Sequence, residues 1–168
     1  MDPRQHPQLE RFLAAMRGEG FAAGEELPYH QPNCYGCGPD NPTGFGLVAA
    51  AAEPGVVEAV YRFDRRFEGG PGVVHGGATA ALIDDLYGRL LVRILVLAVT
   101  VDLQVRYQRA VHLDDECQLR AELVEHVGKN VELRAVLRQH GEVKVTSTGH
   151  FRTIGLDRLT SRYERTTP

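Results

Sequence analysis

The sequence predicts an α+β domain in which one long helix is wrapped by an antiparallel β-sheet of about five to six strands. Several segments alternate apolar and polar residues with a period of two, which is typical of half-buried strands. One central segment is apolar on nearly all sides, which is typical of a buried helix. A sheet with one apolar face packed on that helix is the simplest arrangement that satisfies both patterns.

Five segments carry the alternation that predicts strands: 55–63, 98–107, 117–127, 131–139 and 142–151. GKN at 128–130 and HG at 140–141 are hairpin connections, which makes the last strands antiparallel. The helix is expected to run from Gly76 to about Leu91. In the segment 98–107 the alternation assigns one face to apolar residues (Val99, Val101, Leu103, Val105, Tyr107) and the other to polar ones (Thr100, Asp102, Gln104, Arg106).

The chain divides into three parts around a single core. With 168 residues, 43% of them hydrophobic, it is large enough to bury one core without metal or disulfide support. Residues 1–26 form an N-terminal segment with helical spacing at 7–17, and residues 27–155 form the main domain. The main domain opens with a loop rich in proline and glycine, and residues 156–168 form a tail that we expect to fray.

Composition excludes several functional classes. The net charge is −3 and the basic residues are scattered, so a nucleic-acid partner is not expected. The longest apolar stretch, 90–101, is interrupted by Arg93 and is shorter than the roughly 20 residues that a membrane span needs. The first 20 residues contain no sustained apolar stretch, so we expect no secretory signal, and three cysteines are too few for a disulfide framework. We expect a cytoplasmic protein with reduced thiols.

The start of the helix carries the most suggestive chemistry. Gly76 and Gly77 leave the free N–H groups of the first turn open to a substrate carbonyl, as in an oxyanion hole. Two turns later, Asp84 and Asp85 place carboxylates in an otherwise apolar helix, where partial desolvation makes a carboxylate a better base or nucleophile. Together these features suggest acyl transfer to water.

Each of these residues also has a plainer interpretation. The glycine pair is compatible with a tight turn, and His75 with an ordinary helix cap. Either aspartate is compatible with a solvated carboxylate or with an ion pair to Arg89 or Arg93.

Cys34, Cys37 and the nearby His30 resemble half of a zinc site. A zinc site needs four ligands, and the sequence has no second Cys-x-x-Cys motif. A redox dithiol is disfavoured because no strand and helix flank the pair. We therefore predict a rigid loop and no metal.

The order of the motifs resembles the hotdog-fold acyl-CoA thioesterases of the phenylacetate-degradation (PaaI-like) type. The resemblance covers residues 34–154 and is carried by CYGCGPDNPTGFGL, VVHGGATAALIDDLYG, TVDLQVRYQRAV and the closing GHFR. An HGG followed by an aspartate nine positions after the histidine is its most specific element. The hotdog fold is a long helix wrapped by an antiparallel sheet, in agreement with the periodicity.

The resemblance implies a role for each candidate residue. Asp84 becomes the general base or nucleophile, and Asp85 the weaker candidate. The N–H of Gly76, with that of Gly77 as a second donor, polarises the thioester carbonyl, and His75 positions the site. Thr100, sixteen positions after Asp84, becomes an auxiliary residue that orients water.

The resemblance also implies a homodimer or a dimer of dimers, with sites shared between subunits. The helix geometry agrees, because eight residues separate Gly76 from Asp84 by about 12 Å, too far for both to reach one carbonyl. The substrate is then an acyl-CoA, with no other cofactor. Two alternatives stay open: a hotdog hydratase or dehydratase, and a module that binds acyl ligands without catalysis. Basic candidates for the CoA phosphates are Arg65, Arg66, Arg106, Arg109 and Lys129.

Overall fold

The computed structural model describes residue 14 and residues 20–155. The elements are β1 (Ala50–Ala51), β2 (Val56–Arg62), a short 3-10 helix (Arg65–Phe67), β3 (Glu68–Gly70), β4 (Val73–Val74), helix α1 (Gly76–Arg93), β5 (Ala98–Tyr107), β6 (Glu116–Val127), β7 (Asn130–Gln139) and β8 (Glu142–Thr153). The predicted helix and five strands are all present. The predicted tail, and the predicted helix at 7–17 apart from the helical Ala14, lie outside the described residues.

Six strands form one antiparallel sheet in the order β1-β2-β6-β7-β8-β5, and β3 pairs with β4 in a separate small hairpin. The long strands β6, β7 and β8 follow one another as hairpins, as predicted. At the β7–β8 turn His140 and Gly141 both have positive φ, 52° and 77°, which suits the twist of a two-residue hairpin. This order leaves β5 as an edge strand.

Helix α1 packs on one face of the sheet and supplies the centre of the core. Its fully buried apolar side chains meet the inward-facing residues of β2, β7 and β8, and full burial of each stabilises the fold by roughly 1.5–3 kcal/mol. These side chains include Leu82, Ile83, Leu86, Leu90, Val57, Leu133, Leu137 and Val145. In the described part of the chain, no helix is both long and apolar enough to cross a bilayer.

Strand β5 departs from the predicted alternation. A β-bulge between Thr100 and Asp102 inserts Val101 as an extra residue and shifts the register against β8. Thr100 pairs with the buried Phe151, so it faces the helix, whereas Val99 and Val101 are 48% and 65% exposed. The alternation predicted that Val99 and Val101 share a face with Leu103 and Val105, and that Thr100 lies on the opposite face. Both predictions are wrong.

The turn after α1 contains no glycine, yet the helix ends in the hydrogen-bonded motif that usually has a glycine. Leu95 takes a left-handed conformation with φ of 59°. The N–H of Val96 reaches back to the carbonyl of Leu91 at 2.9 Å, which is the bond of a Schellman motif. The side chain of Leu95 packs against the core, and this burial offsets the backbone strain of roughly 1 kcal/mol or more.

Close contact between helix and sheet at Gly149 gives a test of this packing. A Cβ atom there would lie 2.7 Å from the ring of Phe151 and 2.9 Å from that of Tyr87, both held in the core. We expect Gly149→Ala to lower the free energy of unfolding by about 1–3 kcal/mol through overpacking. Gly70→Ala is the control, since nothing lies within 4 Å of its Cβ position. Equal denaturant midpoints for the two variants would contradict this account.

Candidate functional site

Asp84 lies on the side of α1 that faces the edge strand. The hydroxyl of Thr100 donates a hydrogen bond to Asp84 Oδ1 at 3.0 Å, a contact that the β5 bulge makes possible. Burial raises the pKa of Asp84 above its ordinary value, the Thr100 hydrogen bond opposes that rise, and the charge of Asp85 adds to it. Asp84 is thus a half-buried carboxylate with one oxygen held in place and a raised proton affinity.

The beginning of α1 is organised by His75 and Tyr107. His75 is the N-cap, and its Nδ1 accepts the N–H of Gly77 at 2.9 Å. Tyr107, at the end of β5, donates its hydroxyl to the carbonyl of Gly76 at 2.7 Å. Among residues 20–155, the N–H of Gly76 has no hydrogen-bond acceptor. The first turn therefore offers the Gly76 N–H to a ligand, while that of Gly77 is already engaged.

A cleft of about 370 Å³ opens beside this turn. Gly76, Tyr107 and Arg109 line it together with Val73, Thr79 and Val111. Asp84 does not line it. A second cavity of about 640 Å³ lies on the face of the sheet away from α1, around Val60 and Arg120, and includes none of the candidate residues.

The structure brings the candidate residues together in two groups, not one. Asp84 and Thr100 form the first, and His75, Gly76 and Gly77 form the second. Two turns of α1, or about 12 Å, separate them. The carboxylate and the free N–H of a single chain cannot meet at one carbonyl carbon.

Asp85 points elsewhere, into the cysteine loop, the segment that contains His30, Cys34 and Cys37. Its Oδ1 lies 3.5 Å from His30 Nδ1 and 3.7 Å from Cys34 Sγ. A Cβ on Gly36 would lie 2.0 Å from Asp85 Cγ, so only glycine lets the loop approach this closely. Ion pairs with Arg89 or Arg93 are absent for both aspartates within the described residues. Instead, Arg89 is buried and donates to the carbonyls of Leu27 and Pro28.

Cys34 and Cys37 form no disulfide, and their contact shifts their two pKa values in opposite directions. A hydrogen bond from Cys37 lowers the pKa of Cys34 to about 3, and the same contact raises the pKa of Cys37. Burial would lower the pKa of His30, but hydrogen bonds to Asp85 and Cys34 raise it to about 9. The loop therefore brings two thiols and an imidazole into contact with the carboxyl group of Asp85, and Cys34 is the more acidic of the two thiols.

Two contacts of this region were not found from the sequence. Tyr107 was assigned only to an apolar face, and its spacing gives no sign that its hydroxyl reaches Gly76. The approach of Asp85 to the cysteine loop had one usable signal. Consecutive helical residues point about 100° apart, so Asp84 and Asp85 must face different neighbours.

Residues 71–146 match the family model described as the Thioesterase superfamily. A comparison with curated protein sequences finds no match. Among solved structures, a thioesterase superfamily protein is similar over 89% of this chain and 80% of its own, with a TM-score of 0.70 and 24% identity.

Two other solved structures are similar over a smaller share of the chain. A hypothetical thioesterase of Streptococcus pneumoniae, solved with coenzyme A, aligns with 64% of this chain and 87% of its own, with a TM-score of 0.61 and 19% identity. The PaaI protein of the Escherichia coli phenylacetic acid degradation operon aligns with 66% and 81%, with a TM-score of 0.61 and 15% identity. The described domain thus has the hotdog fold of these proteins, and the part that matches the Thioesterase superfamily model contains both α1 and β5.

Proposed function

We propose that the protein hydrolyses acyl-CoA thioesters to a free acid and CoA, with Asp84 as the general base or nucleophile. The observation that carries this proposal is the half-buried carboxylate of Asp84, held by Thr100, within a segment that matches the Thioesterase superfamily. With Oδ1 bound to the Thr100 hydroxyl, Oδ2 is available to take a proton from water or to attack the thioester carbon.

The developing oxyanion is stabilised at the beginning of α1. The N–H of Gly76 is the donor, and it lies at the positive end of an 18-residue helix. His75 and Tyr107 are positioning residues, since one binds the N–H of Gly77 and the other the carbonyl of Gly76. Gly77 contributes conformation and open space, because its own N–H is already bound.

A homodimer, alone or paired into a dimer of dimers, brings the two groups together. In this arrangement Asp84 of one subunit faces Gly76 of the other across a shared site. Support comes from β5, an edge strand beside Asp84 that exposes Val99, Val101 and Tyr107 by 48–65%. An exposed apolar edge strand is a surface that proteins normally cover.

CoA as the carrier is supported by the similar Streptococcus pneumoniae protein, which was solved with coenzyme A. Two further structures of that protein carry alanine in place of an aspartate and of a threonine that lie sixteen positions apart. Asp84 and Thr100 have the same spacing. Of the basic candidates, Arg66 and Arg109 are paired with Asp64 and Glu142, and Arg109 lines the cleft beside Gly76. Hydrolysis itself requires only water as co-substrate.

Replacement of Asp84 tests the reaction directly. We expect Asp84→Asn to lower kcat/KM by about 10²–10⁴-fold, the usual contribution of a general base. The assay follows thiol release from short, long and aromatic acyl-CoAs. Asp114→Asn, at an exposed turn, is the control and should match the wild type. If the wild type cleaves none of these thioesters but binds them, the protein is a ligand-binding module and the proposal is wrong.

The pH dependence of hydrolysis tests the environment of Asp84. The reaction needs the carboxylate, so activity should fall on the acid side with an apparent pKa above the ordinary 3.8 of aspartate. Thr100→Val removes a hydrogen bond that lowers this pKa, so its acid limb should move to higher pH. Its kcat/KM should drop roughly 10–100-fold, as for a lost hydrogen bond to a charged group. Thr148→Val, on the other face of the sheet, should change neither quantity; an unmoved acid limb in Thr100→Val would contradict the assignment.

The same carboxylate should reduce stability at neutral pH. Because burial raises the pKa of Asp84 in the folded state, folding takes up a proton between pH 3.8 and the raised value. Stability is therefore lost as the pH rises through that interval, and Asp84→Asn avoids the loss. We expect this variant to melt at a higher temperature than the wild type at pH 7, with the difference shrinking below pH 3.8. A lower melting temperature at pH 7 would contradict the assigned cause.

A further inference from the structure

Four side chains from two distant parts of the sequence meet where the cysteine loop contacts α1. His30, Cys34 and Cys37 come from the loop, and Asp85 comes from α1. One nitrogen, two sulfurs and one carboxylate oxygen all lie within 4.8 Å of one another. This is a complete set of four donors of the kinds that zinc takes in proteins.

The spacing of the donors fits a tetrahedral ion. Zinc bonds of about 2.0–2.3 Å at tetrahedral angles place neighbouring donor atoms about 3.3–3.6 Å apart, and two sulfurs about 3.8 Å apart. Here His30 Nδ1 lies 3.5 Å from Asp85 Oδ1, and Cys34 Sγ lies 3.7 Å from the same oxygen. The two sulfurs, of Cys37 and Cys34, lie 3.1 Å and 3.9 Å from His30 Nδ1. Shifts of a few tenths of an ångström would seat the ion.

Asp85 gives an independent sign that a cation belongs here. Its side chain is only 8% exposed, and among the described residues its Oδ2 has no hydrogen-bond partner. A buried carboxylate oxygen without a partner is costly, and the cost is removed when the carboxylate binds a metal ion.

The charge around the cluster is also suited to a metal. Zinc bound by two thiolates and one carboxylate carries a single net negative charge. The buried guanidinium of Arg89, one turn after Asp85 on α1, is the compensating charge, and its field acts on both His30 and Cys37. Its hydrogen bonds to the carbonyls of Leu27 and Pro28 hold it at the base of the same loop.

We propose that His30, Cys34, Cys37 and Asp85 bind one zinc ion in a closed structural site that fastens the cysteine loop to α1. Thiolate ligands favour zinc over magnesium or calcium, and four protein ligands leave no open position for catalysis. The expectation of no metal rested on the missing second Cys-x-x-Cys motif. The fourth ligand is instead a carboxylate on a distant helix, which a search for paired cysteines cannot find.

Metal content tests the proposal without reference to thioester hydrolysis. The full chain, purified under reducing conditions, should contain about one zinc per chain, the stoichiometry of a single closed site. Cys34→Ser should lower zinc affinity at least tenfold, as should Asp85→Asn, since even outer partners of a metal site contribute this much. Cys117→Ser is the matched control, because Cys117 is buried in β6 and hydrogen-bonds to Gln139 and Asp115 instead. In cobalt-loaded protein, thiolate-to-metal charge-transfer absorption should be as strong in Cys117→Ser as in the wild type and clearly weaker in Cys34→Ser, which keeps only one of the two thiolates.

A second measurement covers the case in which the ligand variants do not fold. Removal of the metal from the wild type by a chelator should lower its melting temperature, and zinc alone should restore it. Two results would overturn the proposal: a reduced wild type whose melting temperature responds to neither treatment, or equal zinc retention by folded Cys34→Ser and Cys117→Ser. A wild type that holds zinc but cleaves no acyl-CoA would count against the thioesterase proposal only.

Discussion

The packing of α1 against one face of the sheet is the constraint on which the rest of the molecule depends. Because that helix is apolar over most of its surface, the polar groups that build the two proposed sites leave it at three separate places. The N-terminal turn opens beside Tyr107, Asp84 points to the edge strand, and Asp85 points to the cysteine loop. Both proposed sites thus lie away from the central contact between helix and sheet, one beside the edge strand and the other beside the cysteine loop.

Desolvation by this packing gives the carboxylate of Asp84 its chemical character. A solvated aspartate on a surface helix is a weak base, whereas Asp84 holds its proton to higher pH because the core excludes water around it. The same burial that makes the group useful also makes its charged form costly. Under the proposed function, the helix gives up stability at Asp84 and gains a stronger base there, as active sites commonly do.

Periodicity in the sequence predicted the helix, the five long strands and their antiparallel hairpins, because each depends on local alternation or local turn chemistry. It did not predict the bulge in β5, since an extra residue leaves no mark on an alternation read from one strand alone. Pairing with β8, a tertiary feature, decides which way Thr100 faces. The His30–Asp85 contact was likewise out of reach, because it joins a loop and a helix 55 residues apart in sequence.

Val101 also bears on how this chain is compared with others. The single inserted residue reverses the alternation of β5. Residues before and after it therefore pair with β8 in registers that differ by one residue. A chain without the bulge matches this one only if a gap is opened at Val101. Without that gap, an alignment would still match Asp84 and Thr100, which both precede the insertion, but it would place Asp102 and the later residues of β5 on the wrong face.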